Sequence, residues 1–272
     1  MSDFYVDTLN RLLAQQVLRP DMKLLVTCAG EYDKNVLSQC GFTDAVLSNL
    51  DGRMIGPEIA PFSWSAQDSE DLSFDDHEFD FCIAHSGLHH CRSPHRALLE
   101  MYRVSRLGVI VFEPCDNLVT RLGVRFKLGQ EYEWAAVAGT GCQYGGQRNT
   151  AIPNYVYRWT PREVEKTICS YAPLGRHAFR YFYKLRIPWY RSQMMTGCCL
   201  DGVFRWFAPL ARCLTAIFPR ASNNFAFVIV KPTLPDDLHP WLQRKNGRVE
   251  VDANWLRRRY SKAPAARTSC SS

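Results

Sequence analysis

Three histidines and one glutamate stand nearest to chemistry in this chain. His85, His89 and His90 follow the apolar run Phe81 to Ala84, and Glu113 follows a second run, Val109 to Phe112. An imidazole titrates near neutrality and can take a proton from a hydroxyl or an amine. A carboxylate can do the same, or bond to the loop that follows it. His85, His89 and Glu113 are therefore the candidate acid–base groups, with helix capping or packing as the plainer role for His89 and His90. The spacing His85-x-x-x-His89, with Cys91 beside it, lacks a third ligand at a suitable distance, so no metal site is expected. The eleven cysteines are scattered without a Cys-x-x-Cys pair. That excludes a zinc ribbon or a dithiol redox motif and fits a reducing cytoplasm.

The elements that position these groups follow from hydrophobic periodicity. Phe81 to Ala84, a polar turn, a helix pattern and Val109 to Phe112 make a βαβ unit. Its strands are apolar on both faces, as a sheet covered by helices on both sides requires. Ser93-Pro94 opens the helix with a capping hydroxyl and a proline whose missing N–H costs nothing there. The buried stripe is then Ala97, Leu98, Met101 and Val104. Upstream, residues 4–18 read as a helix, residues 23–27 as a strand, Tyr32 to Gln39 as a helix and Ala45 to Leu47 as a strand. Phe62 to Ser65 gives a weaker strand. Downstream, Thr160-Pro-Arg-Glu163 is a capping box, and His177 to Tyr183 and Phe225 to Val230 read as the last two strands.

Residues 114–158 interrupt the alternation with four glycines from Gly139 to Gly146 and with Tyr132, Trp134, Tyr144, Tyr155 and Tyr157. An irregular insertion of this length is usually functional or disordered; its aromatic and Arg/Asn content argues against disorder, and Tyr144, Arg148, Asn154 and Tyr155 are its candidate substrate contacts. A second insertion spans 186–222. Its Cys198–Phe218 element reads as an amphipathic helix, with Phe204, Trp206, Phe207, Leu210, Leu214 and Phe218 available to bury. Charges and Pro209 break it, so no transmembrane segment is expected and membrane contact would be peripheral at most. The expected organisation is one domain over 1–232 followed by a flexible basic tail, 233–272. A net charge of +6 is mild, and the tail's charges are not interleaved with aromatics, so nucleic acid is not an expected partner. The first residues, Met1-Ser-Asp-Phe4, have neither the basic start nor the apolar run of a signal peptide.

One run carries a family resemblance: Asp68-Ser-Glu-Asp-Leu-Ser-Phe74, four polar residues, Phe79-Asp80, a strand, then Leu88-His-His90. With Arg96-Ala-Leu-Leu-Glu-Met-Tyr-Arg-Val104, it resembles the class I S-adenosylmethionine-dependent methyltransferases, in the small-molecule branch that holds ubiquinone- and sterol-type enzymes. The resemblance covers residues 22–114 in motif detail and reaches 232 in element order. It implies an α/β fold: a Rossmann-like, seven-stranded, mostly parallel sheet with helices on both faces, plus a lid. It also implies S-adenosylmethionine as cofactor and a small-molecule or glycan-like methyl acceptor. Carried over by position, Asp68 and Ser69 would meet the adenine, and Asn49, Leu50 and Asp51 the ribose. Cys28, Ala29, Gly30 and Glu31 would meet the methionine carboxylate, and His85 and Ser86 would line the path to the acceptor. Two departures stand out. The family's Gly-x-Gly-x-Gly turn reads Cys28-Ala-Gly-Glu-Tyr32, where Tyr32 would crowd the cofactor unless the loop is reshaped. The ribose acid is Asn49, with Asp51 two residues on. These leave a second reading, a non-catalytic binding protein on the same fold. A dehydrogenase is disfavoured, because a Gly-x-Gly-x-x-Gly turn is lacking.

Overall fold

A computed structural model describes residues 3–52, 58–126, 129–187 and 199–260, with side chains from residue 208 onward in the last segment. Seven strands form one sheet in the order β3-β2-β1-β4-β5-β7-β6. They are β1 (Leu24–Thr27), β2 (Ala45–Asn49), β3 (Ser63–Ala66), β4 (Phe79–His85), β5 (Ser105–Pro114), β6 (Ala178–Lys184) and β7 (Asn224–Val230). Every neighbouring pair from β3 to β5 is parallel, and β7 runs antiparallel to both β5 and β6. The order reverses between β1 and β4. The strand ends diverge there, and that crevice is where an open α/β sheet binds ligands.

Helices cover both faces. Helix α1 (Phe4–Ala14) and helix α2 (Glu31–Gln39) lie on one side, where Leu9, Leu12, Val36 and Leu37 meet Val26, Ile83 and Ile110. On the other side α3 (Pro94–Val104) packs Ala97, Leu98, Met101 and Val104 against Cys82, Val109 and Val111, all fully buried. Burying each large side chain of that stripe stabilises the fold by about 1.5–3 kcal/mol. Ser93 Oγ accepts the Arg96 N–H at the start of α3. The box expected at Thr160 opens the helix Pro161–Tyr171, which brings Val164 and Ile168 to the same face.

Arg103 ties the acidic loop before β4 to α3. Its guanidinium donates to the carbonyls of Leu72 and Phe74, at 2.7 and 2.9 Å, and pairs with Asp76 and Glu100. Leu72 N–H in turn donates to Glu100. This fixes the segment that carries Asp68 against a rigid helix.

Two parts of the chain differ from the sequence reading. Insertion 114–158 is not irregular throughout: it holds the helices Leu118–Arg125 and Trp134–Gly139 and is stitched by a bridge between Tyr132 and Tyr155. In the second insertion, helix Cys199–Ile217 forms, but Leu210, Leu214 and Phe218 are exposed and Ala208 is the buried contact. The described half of the stripe expected to bury there thus faces outward; Phe204, Trp206 and Phe207 lie outside the described side chains. The basic tail contributes an antiparallel hairpin, Leu242–Lys245 with Arg248–Val251, and a helix, Ala253–Arg259; residues 261–272 lie outside the described segments. Among the described residues, no helix is long and apolar enough to cross a membrane.

Candidate active site

Among the described residues, three cavities open at the carboxyl ends of β1, β4 and β5, and Ser86 lines each of these. Ser86 has φ +52°, a strained value for a residue with a Cβ. It turns the chain sharply out of β4 to the point where the cavities meet.

The first cavity, ≈ 350 Å³, lies over β1 and β2. It gathers Cys28, Asn49, Leu50, Asp51, Asp68, Ser69 and Ser86, seven of the eleven positions expected to hold a cofactor. Cys28 has φ +55°, so it takes the left-handed conformation for which a glycine is ordinarily used. The turn keeps its path through Gly87: a Cβ there would sit 2.3 Å from Cys28 Cβ. Ala29 is buried. Gly30 caps α2, with its N–H bonded to Asp33, and neither Gly30 nor Glu31 lines the cavity. Asn49 is tied to backbone at both ends of its amide, donating to Ala29 O and accepting the Asp51 N–H. Asp68 accepts the Glu70 N–H and pairs with Arg148 at 2.8 Å. Tyr144 and Arg148, expected on the acceptor side, therefore close over this cavity instead. Glu70, which sequence reasoning passed over, is buried and accepts the N–H groups of Arg92 and Ser93 ahead of α3.

The second cavity, ≈ 1070 Å³, contains His85. Its ring stacks on Tyr5, with centroids 4.8 Å apart and planes 5° from parallel, and touches Tyr32 and Phe112. Burial pushes its pKa down to about 4, against the opposing field of Glu113. The imidazole is neutral and weakly basic, so a stacked wall suits it better than proton abstraction. Tyr32 does not crowd the cofactor-side cavity. Its hydroxyl donates to Asp3 at 2.6 Å, which turns the ring toward α1 and into this second space.

The third cavity, ≈ 410 Å³, is lined by Ser86, His89, His90, Gln130, Glu133 and Arg158, among others. His89 is held between two carboxylates. Nδ1 lies 2.6 Å from Glu113 Oε2, and Nε2 lies 3.1 Å from Glu133 Oε2. Burial alone disfavours its charge, but Glu113 and then Glu133 override that and raise its pKa to about 10. Both nitrogens are engaged, so His89 has no free lone pair with which to act as a base. Glu113 is equally committed, accepting the Leu88 N–H at 2.8 Å and His89; it positions His89 and the turn at residues 88–90. Asn154 is buried and donates to His89 O, making it a brace rather than a cavity wall, and Tyr155 is half exposed against Tyr132. Sequence reasoning missed Glu133 and Gln130. Gln130 is buried on this cavity with neither amide atom bonded. No periodicity marks either residue, because both sit in the insertion.

Residues 35–112 match the family model described as "Methyltransferase domain". Over that segment, under a third of the chain, the protein is similar to a methyltransferase domain, and the sheet that carries it has a Rossmann-like, mostly parallel order. Solved structures similar in fold include the (4+2)-cyclase SpnF, at 16% identity and TM-score 0.49, covering 84% of this chain and 81% of that one. A putative methyltransferase from Bacillus halodurans is 13% identical, with TM-score 0.48, covering 84% and 100%. Magnesium protoporphyrin IX methyltransferase from Synechocystis, solved with bound SAH, is 14% identical, with TM-score 0.47, covering 83% and 81%. No curated protein matches the sequence.

Proposed function

We propose that this protein transfers a methyl group from S-adenosylmethionine to a polar small-molecule or glycan-like acceptor. The observation that carries the reading is the junction at Ser86, where the cavity of Asp51, Asp68 and Ser69 meets the cavity of His90 and Gln130. The donor set of the first cavity suits a nucleoside. Asp51 and the backbone after β2 can accept from ribose hydroxyls, Asp68 from an exocyclic amine, and Leu50, exposed at the strand end, offers an apolar face to a ring. When bound, the cofactor supplies an electrophilic methyl on a sulfonium. The protein's part is to hold donor and acceptor in line, which accounts for much of the rate of such a transfer.

On the acceptor side, Gln130 presents an unsatisfied donor and an unsatisfied acceptor on one buried amide. A buried amide left so costs about 1–3 kcal/mol, which a hydroxylated acceptor would relieve. Tyr144 and Arg148 close the cofactor side, so cofactor entry requires Arg148 to exchange Asp68 for solvent or ligand.

Calorimetry with S-adenosylhomocysteine tests the first half. Binding is expected, weakened at least about tenfold by Asp68→Ala, the loss of one charged acceptor. Absence of heat at millimolar ligand would sink the reading, and unchanged affinity in the variant would show the cofactor site lies elsewhere. Methyl transfer to a panel of hydroxylated metabolites and sugars tests the second half. Binding without turnover on any of them would favour the non-catalytic alternative.

A further inference from the structure

We propose that His89, His90 and Glu133 bind a divalent transition-metal ion, of the zinc, cobalt or nickel kind, on the wall of the third cavity. The three donors, one atom from each side chain, lie within 4.8 Å of one another. Glu133 Oε2 is 3.1 Å from His89 Nε2 and 3.6 Å from His90 Nε2. Around an ion with bonds of about 2.0–2.2 Å, neighbouring ligands stand about 3.0–3.5 Å apart, so the cluster closes a shell with small side-chain movements.

The second atoms of both rings decide which nitrogen faces the cluster. Carbonyl and carboxylate oxygens only accept, so a ring nitrogen bonded to one must carry its proton. His90 Nδ1 donates to Gly146 O at 3.3 Å, and His89 Nδ1 donates to buried Glu113. Both Nε2 atoms are thereby turned toward Glu133. Orientation of a ligating imidazole by a carboxylate or a backbone carbonyl at its far nitrogen is the usual support of a histidine metal site. The Gly146 carbonyl is presented by a turn too tight for a side chain, since a Cβ there would lie 1.9 Å from Ile152 O.

Charge makes the same case. With Nδ1 protonated and the ring neutral, the lone pair of His90 Nε2 faces a carboxylate oxygen at 3.6 Å, a repulsive arrangement that either a second proton or a cation between them would relieve. One proton on His89 Nε2 satisfies Glu133 from one side only. A dication replacing that proton would be balanced by Glu133 in its shell and Glu113 behind His89. Two imidazoles and one carboxylate suit borderline metals over magnesium or calcium, which take oxygen. Three protein ligands leave coordination positions toward the cavity. The sequence concealed the site because its third ligand comes from residue 133, 43 positions beyond His90 and inside the insertion.

The inference does not rest on methyl transfer and is tested without S-adenosylmethionine. Full-length protein is stripped with a chelator and titrated with cobalt(II), read by its visible absorption, and with zinc by calorimetry. One ion per chain is expected, with affinity falling at least about tenfold in both His90→Ala and Glu133→Gln. His90 is partly exposed, so its variant should fold; a thermal melt of the stripped proteins checks that. Cys142→Ser, an exposed thiol outside the cavities, should bind as the parent does. Lack of saturable binding, or unchanged affinity in a folded His90→Ala protein, would overturn the proposal.

Discussion

Replacing Glu113 by glutamine probes the buried pair on which the third cavity is built. The side chain of Glu113 is fully buried, and its two oxygens take the Leu88 N–H and His89 Nδ1. Glutamine keeps an acceptor for Leu88 but turns an N–H toward His89, forcing the ring into its other tautomer and removing its charge. In the parent, His89 titrates at about 10, against about 6.5 when unfolded. That gap sets an upper bound of about 5 kcal/mol, and breaking one partner of a buried pair typically costs about 3–5 kcal/mol. Because glutamine keeps the Leu88 bond and replaces the charged bond to His89 by a neutral one, a loss of about 2–3 kcal/mol is expected at neutral pH, or roughly 5–10 °C in Tm. The sign follows from the raised pKa of a cationic group. The stabilisation is fully present below about pH 6.5 and is lost as pH rises through about 10. Urea denaturation of metal-stripped parent and variant from pH 6 to 10 measures it. The difference should be widest at the acid end and shrink toward pH 10. A variant within about 0.5 kcal/mol of the parent at pH 7, or a difference independent of pH, would refute the charged sandwich.

Two further outcomes follow from the turn after β1. Burial pushes the Asp33 carboxyl up to about 6, so its contribution is present below the unfolded value of about 4 and lost as pH rises through about 6. Asp33→Asn should therefore stabilise the protein at pH 7 by on the order of 2 kcal/mol and flatten that window in thermal melts; an unchanged pH profile would contradict it. Gly87→Ala should drive the β4 turn away from Cys28 and weaken S-adenosylhomocysteine binding at least about tenfold, since the new methyl would overlap backbone-anchored atoms. Parent-like calorimetry for a folded variant would show that the two turns are not coupled.

Much of the fold was legible because it rests on local signals. Apolar runs, capping residues and the Asp68–Phe74 motif placed the seven strands of the sheet and the helix Pro94–Val104 to within a few residues. The cofactor-side cavity was legible for a related reason: its residues lie at strand ends, and strand ends follow from the pattern. Other parts were not, because they depend on groups distant in sequence meeting in space. Arg148 reaches Asp68 across eighty residues of chain, and Glu133 comes to His89 and His90 from a helix start that carries no amphipathic signal. Nor does the sequence tell that Cys28 adopts the glycine-like conformation, since that depends on the room left by Gly87.

Sequence alone thus determined the sheet and the strand ends where ligands gather, since short-range periodicity and capping dictate those. Tertiary structure decided the chemistry of His85 and His89. Two imidazoles four residues apart become a weakly basic ring packed on Tyr5 and a charged ring between two carboxylates. Proton affinity is set by what surrounds a side chain in space, and the groups that surround these come from elsewhere in the chain.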